Sequence, residues 1–314
     1  MPVQIPTSTL PSARKTYLVG MDGSDLSFRA LRLAATLADD MKDNVVVVHV
    51  SEKVDAKTLE SKCTDALLHR GVQRRRQAFH VYERTGEWDI GGLLIWLANK
   101  IAKGAGVLVL GAAGKAGEDE GRKGPLGQPP MGSVALKCQE TCKVPVVIVK
   151  STQSPVTAPE LARGKRPSRC GDTAGLHYAV CVDASNLSRM AFDTALLFAR
   201  KVDSLHLIHI ENTDLAVTDR NVDQAEMVRR LYLAECEKLV NLGQVKEATL
   251  SVVLKKQSIK EHINEFVESR LVDVVLMGSA ELSKARKNKL GSVCSSVGRD
   301  SYAHVCIVKN FNTV

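Results

Sequence analysis

The sequence predicts two tandem α/β domains, each a doubly wound parallel sheet covered by helices. Three observations carry this prediction. The 314-residue chain repeats itself, and each copy alternates short β-rich runs with longer helical patterns. Between the copies lies a stretch, 151–175, rich in Ser, Pro, Thr, Arg and Gly. A chain of this length is also long for a single core, so two domains are the default.

The repeat is read directly. YLVGMDGSDLSFRALRLAATLA (17–38) resembles YAVCVDASNLSRMAFDTALLFA (178–199), pairing Asp22 with Asp183, Ser24 with Ser185 and Leu26 with Leu187 at a constant offset of 161. VVVVHV (45–50) answers SLHLIHI (204–210), and GVLVLGAAG (106–114) answers DVVLMGSAE (273–281). MGSVALKCQETCKVPVVIVK (131–150) answers LGSVCSSVGRDSYAHVCIVK (290–309) at an offset of 159. The same landmarks in the same order over the whole length mark a tandem duplication. The predicted division is a leader over 1–15, a first domain over 16–150, the linker over 151–175 and a second domain over 176–314.

In the first copy, strands are expected at 16–21, 45–50, 78–83, 106–111 and 145–149, with helices at 25–41, 55–77, 88–103 and 132–142. In the second, strands are expected at 177–182, 204–210, 248–254, 273–278 and 304–308, with helices at 187–201, 219–242, 258–270 and 292–301. VVVVHV and VLVLG are apolar on both faces, as in parallel strands covered by helices. Each copy closes with an apolar strand, VPVVIVK or HVCIVK. An exposed edge of this kind seeks a partner. The duplicated chain can supply one internally, so the lobes are expected to pair edge to edge as a pseudo-dimer, with homodimerisation left open.

Composition excludes several functions. No apolar run approaches the ~20 residues that span a bilayer, and residues 1–15 contain no hydrophobic segment of a secretory signal. The net charge of +8 invites a nucleic-acid reading, but the basic clusters at 74–76, 163–169 and 284–289 are not interleaved with stacking aromatics. The eight cysteines form no paired framework and several fall inside strand- and helix-like runs, which suits reduced, buried thiols in a cytoplasmic protein. Cys138 and Cys142 share a helix face, without the CxxC or His pair of a metal site. His49 and His209 end a strand in each copy and read as satisfied core or rim histidines. No nucleophile–base pair is present.

Open α/β sheets bind ligands beyond the carboxyl ends of their strands, where strand order reverses. Asp22, just past the first strand, can accept from a ribose or base, or cap the helix beginning at 24–25. After the fourth strand stand Gly111 and Gly114, and further on Gly132-Ser133 opens a helix. The Walker A pattern, G-x-G-x-x-G after the first strand, and HIGH-type and SGGxDS-type motifs are all missing. On these residues the chain resembles the tandem form of the universal stress protein family over both lobes. The resemblance implies a five-stranded fold of strand order 3-2-1-4-5 and the nucleotide signature G-x2-G-x9-G-[S/T], although some subclasses have lost binding. The glycines of such a signature let the backbone approach phosphates, and the Gly-Ser pair presents a helix N-terminus. By matching positions, the implied site comprises Asp22, Val50, Gly111, Gly114, Gly132, Ser133 and Val134. Its counterparts in the second lobe are Asp183, Ile210, Gly278, Gly291, Ser292 and Val293. The implied ligand is ATP, ADP or AMP, with or without magnesium.

Neither lobe matches the signature fully. In the first, 17 residues (115–131) separate the inner glycines where nine are expected, and Arg122 and Lys123 lie in the insertion. In the second, Glu281 replaces the middle glycine. A carboxylate about 4 Å from a phosphate charge costs on the order of 4 kcal/mol at an effective dielectric of 20. Lys284, Arg286, Lys287 and Lys289 in the same loop can offset it. The first lobe is therefore the expected binder. The leading expectation is a regulatory, non-catalytic adenine-nucleotide binder in stress response with an unidentified protein partner. The alternatives are a degenerate scaffold that binds no nucleotide, and a slow ATPase.

Overall fold

The computed structural model describes residues 15–39, 41–51, 56–84, 89–101, 106–114, 131–151, 175–211, 219–279 and 290–309. Residues 1–14 of the expected leader, residues 115–130 of the insertion with Arg122 and Lys123, most of the linker, and Glu281 with its neighbouring basic cluster lie outside these residues. The chain divides into two compact units, Met1–Ser151 and Thr152–Val314.

The first unit runs β1 (Thr16–Met21), α1 (Asp25–Leu37), β2 (Asn44–Ser51), α2 (Lys57–His69), β3 (Gln77–Glu83), α3 (Ile90–Ile101), β4 (Gly106–Gly111), α4 (Ser133–Thr141) and β5 (Val146–Val149). Its strands pair in parallel in the order β3-β2-β1-β4-β5. The second unit repeats the plan with β6 (His177–Cys181), α5 (Asn186–Phe198), β7 (Ser204–Glu211), α6 (Asp219–Asn241), β8 (Glu247–Leu254), α7 (Ile259–Ser269), β9 (Val274–Gly278), α8 (Ser292–Asp300) and β10 (His304–Val308). Its order, β8-β7-β6-β9-β10, is the same 3-2-1-4-5. Strand order reverses between β1 and β4, and between β6 and β9. The sheets are apolar on both faces, as expected: Val45 to Val48 of β2 are all buried. Burying each such side chain contributes about 1.5 kcal/mol or more.

A buried aspartate anchors each sheet at its lower end. Asp43 accepts from the Lys15 and Asp39 amides at 3.1 and 3.0 Å, and the Lys15 ammonium lies 3.5 Å away. Asp203 accepts from the Leu176 and Arg200 amides at 2.7 and 2.8 Å. Both carboxylates fix the entry into the first strand of their unit.

The largest departure from the expected helix lengths is in the second helix. The pattern over 55–77 predicts a single helix, whereas α2 ends at His69. Gly71 takes φ +81, its amide bonds Leu68 O at 2.9 Å, and the Val72 amide bonds Leu67 O at 3.1 Å. That pair of bonds is a Schellman C-cap, closed by contact between buried Leu67 and Val72. Arg74–Arg76 then form a short 3-10 turn leading into β3. The Gly243 turn ends α6 in the same way, with φ +60 and amide bonds from Gly243 to Val240 and from Gln244 to Leu239.

Candidate functional site

Just past the first strand of each unit stands an aspartate that braces the turn into the following helix. Asp22 Oδ1 accepts from the Ser24 amide at 3.0 Å, and Ser24 caps α1 by accepting from the Ser27 amide at 3.1 Å. Asp183 Oδ1 accepts from the Ser185 amide at 3.1 Å and from the Ser185 hydroxyl, and Ser185 caps α5. The capping role is thus filled by the serines, and both aspartates remain at the surface above the strand ends.

The glycines fall into two kinds. A Cβ on Gly111 would lie 2.9 Å from Leu26 Cβ, and one on Gly278 would lie 2.6 Å from the carbonyl carbon and oxygen of Leu187. These two glycines let β4 and β9 pass close under the first turns of α1 and α5, which is a demand of packing. Gly132 and Gly291 differ. Each is an N-cap with extended backbone, at φ −68, ψ 154 and φ −56, ψ 150, conformations open to any residue. Among the described residues, a Cβ on Gly132 would meet nothing closer than 3.6 Å, and one on Gly291 nothing within 4 Å. Neither offers a side-chain cap to α4 or α8, whereas Ser24, Ser185 and Ser258 cap α1, α5 and α7. The N-cap residues of α4 and α8 thus supply no side-chain acceptor to the first amides, the kind of helix start that can take an anion.

In the first unit these pieces converge. A Cβ on Gly114 would sit 2.6 Å from Asp22 Oδ2, so the carboxylate lies over this glycine. The Gly132 amide donates to Ala112 O at 2.7 Å. The two flanks of the long insertion are thereby held together, and Gly111, Gly114, Gly132 and Asp22 gather at the β1/β4 strand ends despite the eight surplus residues. Ser133 and Val134 begin α4 beside them. Val50, at the end of β2, packs partly buried against the core.

In the second unit a cavity of about 330 Å³ lies at the same place. Of the six residues implied there, Asp183, Ile210, Gly278 and Val293 line it, while Gly291 and Ser292 stand at the adjoining start of α8. Most of its remaining wall is apolar, from Val182, Ile208, Ile259, Ile263 and Met277, with His209, Ser185 and Ser188 as polar groups. Those wall residues were not anticipated from sequence, though Ile208 and Met277 sit at strand ends where alternation places them. A largely apolar recess with a few polar groups suits a flat heterocyclic body. In the first unit, Gly20 stands where the second has Cys181, and Leu110 Cδ2 comes within 2.5 Å of where a Cβ on Gly20 would be.

The remaining candidates behave as core groups. His49 Nδ1 is 2.8 Å from Met21 O, and His209 Nδ1 is 2.9 Å from Val182 O. Burial pushes the Cys294 thiol, on the cavity wall, up to about 11, and the Cys63 and Cys138 thiols up to about 12. These are poor nucleophiles at neutral pH. Among the described residues, no group of three His, Cys, Asp or Glu side chains is placed to hold a metal, and no helix is long and apolar enough to cross a membrane.

The model of the universal stress protein family matches residues 13–150 and again 177–309. The chain belongs to the universal stress protein family. Among solved structures, it is similar to a universal stress protein from Archaeoglobus fulgidus, with 17% identity and a TM-score of 0.56 over 94% of this chain and 98% of that one. A functionally unknown protein from Pseudomonas aeruginosa PAO1 has 12% identity and a TM-score of 0.55 over 94% and 92% of the two chains. A putative universal stress protein from another Pseudomonas aeruginosa strain has 12% identity and a TM-score of 0.55 over 94% and 93%. At these identities the likeness is one of fold. No curated protein matches the chain. Membership thus rests on both halves, in agreement with the tandem universal stress protein architecture.

Proposed function

We propose that this universal stress protein binds an adenine nucleotide, ATP or its di- or monophosphate, with or without magnesium, and acts as a regulator rather than as a catalyst. The observation that supports this reading best is the pair of glycine N-caps. Among the described residues, neither Gly132 nor Gly291 is required by backbone conformation or by packing, and neither gives its helix a side-chain cap at the strand-order reversal. Asp22 and Asp183 are exposed carboxylates at the strand ends, of the kind that accepts from a ribose or base, and the cavity of the second unit gives an apolar recess beside Asp183. Bound nucleotide would stabilise a surface for a protein partner in the cytoplasm, a compartment suited to the buried thiols. The test is titration calorimetry with magnesium–ATP, with Gly132→Asp expected to remove binding by the first unit.

One observation favours the scaffold reading instead. Gly111 and Gly278 are fully accounted for by the approach of α1 and α5. A chain that keeps only these glycines for packing needs no nucleotide, and absence of binding at millimolar magnesium–ATP would select this alternative.

A further inference from the structure

A second cavity, of about 610 Å³, lies in the second unit beside the one described above, and the two share Ile259 and Val293 as walls. Its other walls come from the β8–α7 turn, with Lys255, Lys256 and Lys260, and from the start of α8, with Ser292 and Ser296. The neighbouring carboxylates offset this charge only in part at Lys260. Glu261 is turned to the Ser258 amide in the α7 capping box, and Asp300 is shared between Lys260 at 3.5 Å and Arg299 at 3.0 Å.

The backbone that carries the lysines is fixed from within. His262 is 8% exposed, and its Nε2 accepts from the Lys256 and Gln257 amides at 2.9 and 3.3 Å. The first unit has no equivalent of the full set. Arg84 matches Lys255, because its amide bonds Ser51 O as the Lys255 amide bonds Glu211 O. At the second position of the helix, however, α3 has Gly91 where α7 has Lys260.

We propose that the second unit takes the phosphates of its nucleotide at Lys255, Lys256 and Lys260 together with the uncapped start of α8, while the nucleoside end occupies the apolar cavity next to Asp183. The lysine turn then does the work that a glycine-rich loop does elsewhere. Charge-assisted bonds from three ammonium groups suit a di- or triphosphate. This inference rests on the nucleotide-binding reading.

The test is calorimetry on the full chain carrying Gly132→Asp, titrated with ATP, AMP, adenosine and inorganic tripolyphosphate. Affinity is expected to rise from adenosine through AMP to ATP and to weaken with salt. The triple variant Lys255→Ala/Lys256→Ala/Lys260→Ala is expected to lose about tenfold or more in ATP affinity and to keep its adenosine affinity. Tripolyphosphate is expected to compete with ATP only when the lysines are present. Thermal melting verifies that the variant is folded. The proposal is overturned if the triple variant binds ATP undiminished, or loses ATP and adenosine in equal proportion. It is also overturned if the Gly132→Asp chain binds no nucleotide while the unmodified chain does. If the unmodified chain binds no nucleotide, the functional reading fails on its own. Tripolyphosphate then decides the cleft: lysine-dependent binding supports it, and absence of binding overturns it.

Discussion

Replacing Gly278 with alanine and Gly132 with serine separates a glycine that the fold requires from one that it does not. The new Cβ at 278 would lie 2.6 Å from two backbone atoms of Leu187, 0.8 Å inside the 3.4 Å at which ordinary contact begins. Backbone cannot swing aside as a side-chain tip can, so α5 must shift on β9 at a cost of about 2–3 kcal/mol. For a unit of this size that is a fall in Tm of roughly 5–10 °C. At 132 the new Cβ would meet nothing closer than 3.6 Å among the described residues, and a serine is a good N-cap for α4. Stability should therefore stay within a few tenths of a kcal/mol of wild type. The serine hydroxyl would nevertheless occupy the α4 amides and fill the space above them, so nucleotide binding by the first unit should drop. Thermal denaturation with and without magnesium–ATP reads both effects. A Gly278→Ala protein as stable as wild type, or a Gly132→Ser protein that loses stability and binding together, would refute the distinction.

Other consequences follow from particular residues. Ala184 and Leu271 hold left-handed backbone at φ 40 and φ 50, whereas Gly23, the counterpart of Ala184, does so at φ 82 without a side chain. Ala184→Gly should thus stabilise by up to about 1 kcal/mol and Gly23→Ala should destabilise by about 1–2 kcal/mol, measured by urea denaturation. Burial raises the Asp203 carboxyl above the ordinary aspartate range, against the Leu176 and Arg200 amides that favour its charged form. The stability tied to this shift is full below the ordinary value and is lost as pH rises through the folded one. Stability curves against pH should show that slope in wild type and lose it in Asp203→Asn. His262→Leu leaves the Lys256 and Gln257 amides without their acceptor and should cost about 1–2 kcal/mol, with partial recovery in His262→Gln.

Much of the fold was legible because its determinants are local. Valine runs with both faces apolar mark the central strands, and the doubled DGSDL/DASNL turn marks where each first helix begins. The end of α2 was missed because the Arg-rich stretch after Gly71 continues a helical pattern in composition, while the Schellman turn that stops it depends on one positive φ. The left-handed conformations of Ala184 and Leu271 carry no compositional mark at all. At the site, Asp22, Gly114 and Gly132 were singled out together, and the structure brings them together across the strand ends. What spacing could not reveal is that Gly111 and Gly278 answer to Leu26 and Leu187. Nor could it show that Lys260, at the start of one helix, shares a cleft with Ser292 at the start of another. Both depend on how distant segments pack.

The nucleotide content of freshly purified protein tests the central claim most directly. The protein is denatured and the released nucleotide is quantified by chromatography. The account predicts at least one adenine nucleotide per chain, with phosphorylated forms retained over adenosine and the amount reduced by Gly132→Asp. An empty protein that also fails to take up millimolar magnesium–ATP would contradict it, and would leave the glycine N-caps as ordinary helix starts in a scaffold.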